Sequence, residues 1–284
     1  MQPASSSRLT ASVVAAELAR VTPRDRLLLD LLDEHQTFTT EHLVQLAFGS
    51  TGRARNRLNV LLSRDILDRF RLYQRPGSQS WRWTLGPIGA AIVAAGQGDA
   101  MPRPAAVRDT TARLAMSPRL NHLLATNGFF VALNGHARTR PGVRLGRWWN
   151  EARCRDATGS LVRPDGHGVW IAGGRAVPFW LEMDLGTEAL QRVADKLSGY
   201  AALGPRRAYP VLFWLPTAAR EANLHAYLSR AGVPGEVTVA TAADDYAATN
   251  GGPAGVVWRR PGDPARVTLT DLPGTTGDGA AWDG

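Results

Sequence analysis

Four carboxylates and one lysine in the second half of the chain have types and spacings suited to phosphodiester chemistry. Asp165 follows Pro164 in the apolar stretch 161–171. Glu182 and Asp184 lie two apart in AVPFWLEMDL, residues 176–185, so on a strand both point to one face. Glu151 lies in RWWNEARC, residues 147–154. Carboxylates placed in this way can hold Mg2+, which polarises a phosphate and lowers the pKa of an attacking water. Lys196 is the chain's one lysine, every other cationic side chain being arginine. A compact ammonium suits a point contact with a phosphate oxygen. The candidate metal ligands are therefore Asp165, Glu182, Asp184 and Glu151, and the candidate catalytic residue is Lys196.

A second constellation lies in the first half. At 100° per residue, Ala54, Leu58, Leu61 and Leu62 share one sector of a helix over 51–66, and Arg53, Asn56, Arg57 and Arg64 fall opposite. One face packs and the other is cationic. Such a helix fits the major groove, where arginine forks match guanine edges and asparagine pairs with adenine. Two short strands follow, at 67–74 and 80–85. They add Arg69, Arg71, Arg75 and Arg82, interleaved with Tyr73, Trp81 and Trp83. A wing of that kind lies along phosphates or enters the minor groove. Between Ser50 and Arg82 the cations far outnumber Asp65 and Asp68, and this stretch holds most of the chain's net charge of +8.

The elements that would position these residues are readable from periodicity and punctuation. Thr22-Pro23 caps a helix with Leu27, Leu28, Leu31 and Leu32 as its stripe. A short helix starts at Thr39-Thr40-Glu41 and breaks at Gly49, and the arginine helix and hairpin come next. Helix, helix, helix, hairpin is the winged helix-turn-helix order. In the second half the order reads α-β-β-β-α-β-α. Its strands are expected at 147–154, 161–171, 176–185 and 210–215, with helices at 188–203 and 220–231. The expected layout is a flexible N-terminus over 1–20, in which residues 10–20 offer a helix, a winged-helix DNA-binding domain over 21–96, a linker over 97–117, an α/β domain over 118–272 and a disordered tail over 273–284.

Composition narrows the classes. A hydrophobic share of 44% and a charged share of 20% suit a folded rather than a disordered chain. One cysteine, Cys154, excludes an intrachain disulfide framework and a four-thiolate zinc site. The sequence offers no 18-residue apolar run and no charged-then-apolar leader, so the expectation is a cytoplasmic protein with no membrane partner. The six histidines are scattered, which argues against a tyrosine relaxase with a histidine metal cluster.

Pro-Asp, a spacer and Glu-x-(acid or Lys), set on this element order, resemble the PD-(D/E)XK nuclease superfamily. The resemblance implies a restriction-endonuclease-like α/β domain behind the winged helix. It also implies Mg2+ if the domain is active. The pattern departs at Asp184, which stands where that superfamily usually has lysine. Lys196 lies on the following helix, with Tyr200 one turn later, and some members carry the lysine there. The chain as a whole resembles the replication-relaxation family, proteins of plasmids and integrative elements in Gram-positive bacteria. The matching stretches are VTPRDRLLLDLLDEHQTFTTEHLVQLAF, the arginine helix, LDRFR with WRWTLGPIGA, NHLLATNGFFVAL, WWNEARC, VRPDGHGVW, FWLEMDLGTEAL, KLSGY and PVLFWLPTAAREANL. The resemblance implies double-stranded DNA as partner, together with other replication or mobilisation proteins or a second copy of the chain. It brings no settled catalytic residues. Three functions stay open: a DNA-binding replication or mobilisation protein, a Mg2+-dependent endonuclease, and a repressor whose second domain dimerises or binds a ligand.

Overall fold

The structure is a computed structural model that describes residues 9–72, 79–204 and 207–276. These form eleven α-helices and two sheets in a mixed α+β arrangement. The chain divides into two compact units, Met1–Asn127 and Gly128–Gly284.

In the first unit local capping signals set where helices begin. Thr10 caps α1 (Ala11–Leu18). Thr22 caps α2 (Pro23–His35) in a reciprocal box with Asp25, with proline in the first turn. Strand β1 (Phe38–Thr39) leads into α3 (Thr40–Ala47), capped by Thr39, and Ser50 caps α4 (Thr51–Ser63). Strands β2 (Leu67–Phe70) and β3 (Arg82–Leu85) form an antiparallel hairpin, and β1 adds to the far side of β3. Helix α5 (Pro87–Gln97) follows, ending on Gly98 in the left-handed region that glycine tolerates. The core takes Leu28, Leu32, Leu43, Leu58 and Leu61 from the apolar stripes read in the sequence, but on α2 the buried face is shifted: Leu29 is buried, Leu31 is only partly buried and Leu27, expected to face inward, is exposed. Residues 97–117, expected as a linker, instead contain α6 (Pro104–Ala115), opened by a first-turn proline and tied to β3 by Thr111–Thr84 at 3.2 Å. Within the N-terminal stretch the helix read over 10–20 is present at residues 11–18, and residues 1–8 lie outside the described part.

Helix α7 (Leu120–Ala137) crosses the division point. In the second unit β4 (Arg144–Asn150), β5 (Gly166–Ala172) and β6 (Arg175–Met183) form an antiparallel meander. Helix α8 (Glu151–Ala157) intervenes between β4 and β5. Helix α9 (Leu190–Ala201) then leads to β7 (Val211–Leu215), parallel to β6, and α10 (Ala218–Ala231) leads to β8 (Val239–Ala243), parallel to β7. Two-residue strands β9 (Trp258–Arg259) and β10 (Arg266–Val267) extend that edge, and β11 (Thr275–Thr276) pairs with the start of β6. Thus residues 275–276, expected in a disordered tail, are paired, while residues 277–284 lie outside the described part.

Three strand expectations need correction. The strand expected over 147–154 stops at Asn150, whose side chain accepts from Arg153 N at 2.9 Å and caps α8. The cap outcompetes the alternation that the two tryptophans suggest. The strand expected over 161–171 starts only at Gly166, so Asp165 precedes it. The strand expected over 176–185 ends at Met183, so Asp184 follows it.

One cross-strand row fixes the register of the meander. Trp148, Gly168 and Phe179 face one another across β4, β5 and β6. Gly168 leaves the gap that Phe130 of α7 fills, stacked 5.1 Å from Trp148 and 6.0 Å from Phe179. A methyl group at Gly168 falls inside contact distance of both phenylalanine rings. Gly168→Ala is therefore expected to destabilise the second unit by about 1–3 kcal/mol through overpacking. Chemical denaturation checks this, and an unchanged midpoint contradicts the packing account.

Candidate functional site

In the first unit the structure sorts the arginines expected to meet DNA. Arg53 and Asn56 stand exposed on α4. Arg57 does not: its Nε donates to Asp25 Oδ1 at 2.9 Å and its Nη2 to Oδ2, and the Asp25 side chain is fully buried. The Thr22 amide and hydroxyl also donate to Asp25, at 2.8 and 2.7 Å. Burial pushes the Asp25 carboxyl up, but the hydrogen bonds from Arg57 and Thr22 prevail and hold it below its ordinary value. Arg64, just past the end of α4, pairs with Glu17 at 3.3 Å. Arg82 is buried, donating to Gln79 Oε1 and to the Ser80 carbonyl, and its Nε has no hydrogen-bond partner among the described residues. Arg75 lies outside the described residues.

Alternation along the hairpin puts Arg69 and Arg71 on the same face as Trp81 and Trp83, with Arg69 directly opposite Trp83. The Arg69 guanidinium lies 4.0 Å from the centre of the Trp81 ring and that of Arg71 lies 4.5 Å from it, within cation–π range. Sequence reasoning missed Arg55 and Asn59. They sit one turn apart on the flank of α4 beside this ladder, and the Asn59 carbonyl accepts from Arg69 at 3.2 Å. The i, i+4 spacing was the available signal. It was overlooked because the cationic face was centred on the opposite flank, where Arg57 and Arg64 turn to acidic partners.

In the second unit the residues expected around a metal separate into two clusters. Glu182, near the end of β6, is almost wholly buried. Its Oε2 accepts from Lys196 Nζ at 2.7 Å and its Oε1 from the Tyr200 hydroxyl at 2.5 Å, both donors lying on α9. Lys196 also reaches Glu188 at 3.4 Å. Asp165 Oδ2 accepts from Met183 N at 2.8 Å, bracing the start of β5 against the end of β6, and its charge is felt at Glu182 and Lys196. Burial, with Asp165 beside it, pushes the Glu182 carboxyl up to about 7 against the pull of Lys196 and Tyr200. Desolvation works against the Lys196 ammonium, but Glu182 outweighs it and holds the amine protonated.

Asp184 belongs to the other cluster. Its Oδ2 accepts from Arg220 Nε of α10 at 2.7 Å and its Oδ1 from Gly186 N at 2.6 Å. Glu151 opens the first turn of α8 and is not a strand residue. Among the described residues no three His, Cys, Asp or Glu side chains gather as metal ligands. Both oxygens of Glu182 and both of Asp184 already accept hydrogen bonds, so these donors do not fit an assembled Mg2+ site. Arg220 was not anticipated. Its partnership with Asp184 spans 36 residues and no local pattern encodes it.

No described helix is long and apolar enough to cross a membrane. No curated protein and no solved structure matches the chain. Residues 29–210 match the replication-relaxation family, a span that holds α4, the hairpin, Asp165, Glu182, Lys196 and Tyr200. The chain belongs to the replication-relaxation family.

Proposed function

We propose that the chain binds double-stranded DNA through α4 and the β2–β3 hairpin and acts in the replication, relaxation or mobilisation of a plasmid or integrative element. One observation carries the reading: Arg53 and Asn56 stand exposed on a capped helix whose neighbouring hairpin presents Arg69 and Arg71 on Trp81. The order α2, α3, α4 and hairpin supports a winged helix-turn-helix with α4 as recognition helix and the hairpin as wing. Membership of the replication-relaxation family supports the cellular role. Other replication proteins or a second copy of the chain are natural further partners.

Within this reading Arg53 and Asn56 meet base edges, Arg71 meets phosphates, and Arg57 positions α4 by holding Asp25. Arg53→Ala is expected to weaken binding to the natural site by about 1–3 kcal/mol while sparing unrelated sequences. Arg71→Ala is expected to weaken all sequences alike and to lower the salt slope by about one. Fluorescence anisotropy over a salt series reads both. Wild-type binding by both variants overturns the assignment.

A second reading concerns the other unit. Apart from α8, inserted between β4 and β5, helix α7, the β4–β5–β6 meander, α9 and the parallel β7 follow the order of a PD-(D/E)XK-like core, with Asp165, Glu182 and Lys196 at its candidate site. Because Lys196, Tyr200 and Arg220 occupy the carboxylates, we read this unit as a nuclease-like scaffold. Supercoiled plasmid carrying the bound site is expected to stay closed with Mg2+ or Mn2+. Nicking by the wild type that is lost in Asp165→Ala and Lys196→Ala makes it a nuclease instead.

A further inference from the structure

The recess between α4 and the hairpin has features that duplex binding alone does not use. Its volume is about 320 Å³, within the size range of small-ligand sites. Arg55 and Asn59 of α4 form one wall, and Arg69, Arg71, Trp81 and Trp83 of the hairpin form the other. Trp83 is buried and pinned by its indole N–H, which donates to Thr40 Oγ1 at 3.0 Å, so it forms a rigid back wall. Trp81 is half-buried with the guanidinium groups of Arg69 and Arg71 over its ring, so a base that stacks there displaces one of them, and the exposed Arg71 is the one free to turn to solvent. Glu41 and Ser80, both exposed, also line the recess, and the Glu41 carboxylate accepts from Ser80 Oγ at 2.9 Å. Burial pushes that carboxyl up, but hydrogen bonds from its own amide and from Ser80 hold it low, so it stays an acceptor.

Each feature constrains the occupant. Three arginines against one carboxylate favour an anion. Phosphates of a continuous duplex have no use for indole rings set back in a recess, whereas a planar base stacks on indole and guanidinium faces alike. The Asn59 amide and the Glu41 carboxylate offer a donor and an acceptor to a base edge. Arg55 and Arg71 are exposed, and among the described residues neither is paired with an acidic side chain, unlike Arg57 and Arg64. A base within B-form DNA is stacked and paired, so only an unpaired or extruded nucleotide enters such a recess.

We infer that this recess is a nucleotide pocket, which takes one unpaired base against Trp81 with its phosphate on Arg55 and Arg71. The chemistry is that of a nucleoside monophosphate unit, whether it belongs to a DNA strand or is free in solution. The DNA source rests on the reading of α4 and the hairpin as a DNA-binding surface. The ligand chemistry does not.

The experiment uses the full chain. Anisotropy compares a continuous duplex, the same duplex with one bulged nucleotide, and that duplex with an abasic bulge. Tryptophan fluorescence is titrated in parallel with the four deoxynucleoside monophosphates. The wild type is expected to prefer the bulged duplex by about tenfold, as the loss of one base–aromatic stack implies. The preference should vanish with the abasic bulge and in Trp81→Leu, and survive in Trp81→Phe, which keeps a stacking face and controls for folding. Saturable quenching by a monophosphate, absent in Trp81→Leu, with no bulge preference, supports the pocket with a free nucleotide as occupant. Equal binding of base and abasic bulges, with no quenching by any monophosphate, overturns the pocket even if Arg53-dependent duplex binding persists. Quenching without binding to any DNA keeps the pocket and removes the DNA-binding reading.

Discussion

Arg57→Ala is expected to lower the stability of the first unit by about 3 kcal/mol, a larger effect than on DNA recognition itself. The Asp25 carboxylate is completely buried, and Arg57 reaches both of its oxygens. Removing the guanidinium leaves that charge with only the two Thr22 hydrogen bonds. Because those bonds remain, the cost belongs at the low end of the range for stripping one partner from a buried pair. The sign of the pH dependence follows from the depressed carboxyl. Its contribution is present above the unfolded carboxylate value of 3.8 and is lost as pH falls through the lower folded value. In Arg57→Ala the carboxyl rises, so the unit also loses acid tolerance. Hydrogen exchange of the α4 amides reads the opening free energy locally. Asp25→Asn added to Arg57→Ala is expected to recover part of the loss, since an amide oxygen still accepts from the Thr22 amide. Full stability of Arg57→Ala combined with sequence-selective loss of DNA binding would return Arg57 to the base-reading role its helical position suggested.

Arg57 also shows how far the sequence reaches. Its place on the polar face of α4 followed from a 3.6-residue period, and that face exists. Its partner lies 32 residues away on α2, and no periodicity reports a tertiary contact of that kind. The capping box that holds Asp25 was legible only as the Thr22-Pro23 start of a helix. The apolar face of α4, the hairpin and the apolar β7 were readable because burial imposes a period or a continuous run on them, whereas in the leucine-rich α2 the period did not separate buried Leu29 from exposed Leu27. The elements that were misread are those in which a short-range polar contact outcompetes the apolar pattern. Asn150 ends β4 by capping α8 where Trp148 and Trp149 suggested that the strand continued. Strands β8 to β10 went unread because Val239–Ala243 is mostly alanine and the others are two residues long. In the candidate site the triad of Glu182, Lys196 and Tyr200 could be assembled from strand and helix spacing, whereas the diversion of Asp184 to Arg220 could not.

The Glu182 carboxyl should leave its own signature in the pH dependence of the second unit. Its folded value, about 7, lies above its ordinary 4.5. Between those two the folded state holds a proton that the unfolded state has lost, so this group's contribution declines as pH rises through the window. The span corresponds to an effect on the order of 3 kcal/mol. The Lys196 ammonium, held protonated by Glu182, has the same sign in a higher window: its contribution is full below its ordinary 10.5 and is lost only at higher pH. The raw profile will not display the Glu182 decline by itself. Buried His167 is pulled down to about 3, first by desolvation, so its contribution improves as pH rises from there to 6.5 and opposes the decline. The informative quantity is therefore the difference between wild type and Glu182→Gln, since both retain His167. The amide keeps an acceptor for Tyr200 and carries no charge, and Lys196 is exposed enough to turn to Glu188 and solvent. The variant is expected to gain on the wild type steadily from pH 4.5 to 7 and to run parallel above it. Lys196→Met, which removes the cation that favours the Glu182 anion, should extend the decline beyond pH 7. Urea unfolding at half-unit pH intervals measures all three proteins. A difference curve that stays flat across the window would mean that Lys196 and Tyr200 already hold Glu182 ionised at acidic pH, as a permanent ion pair with no shared proton.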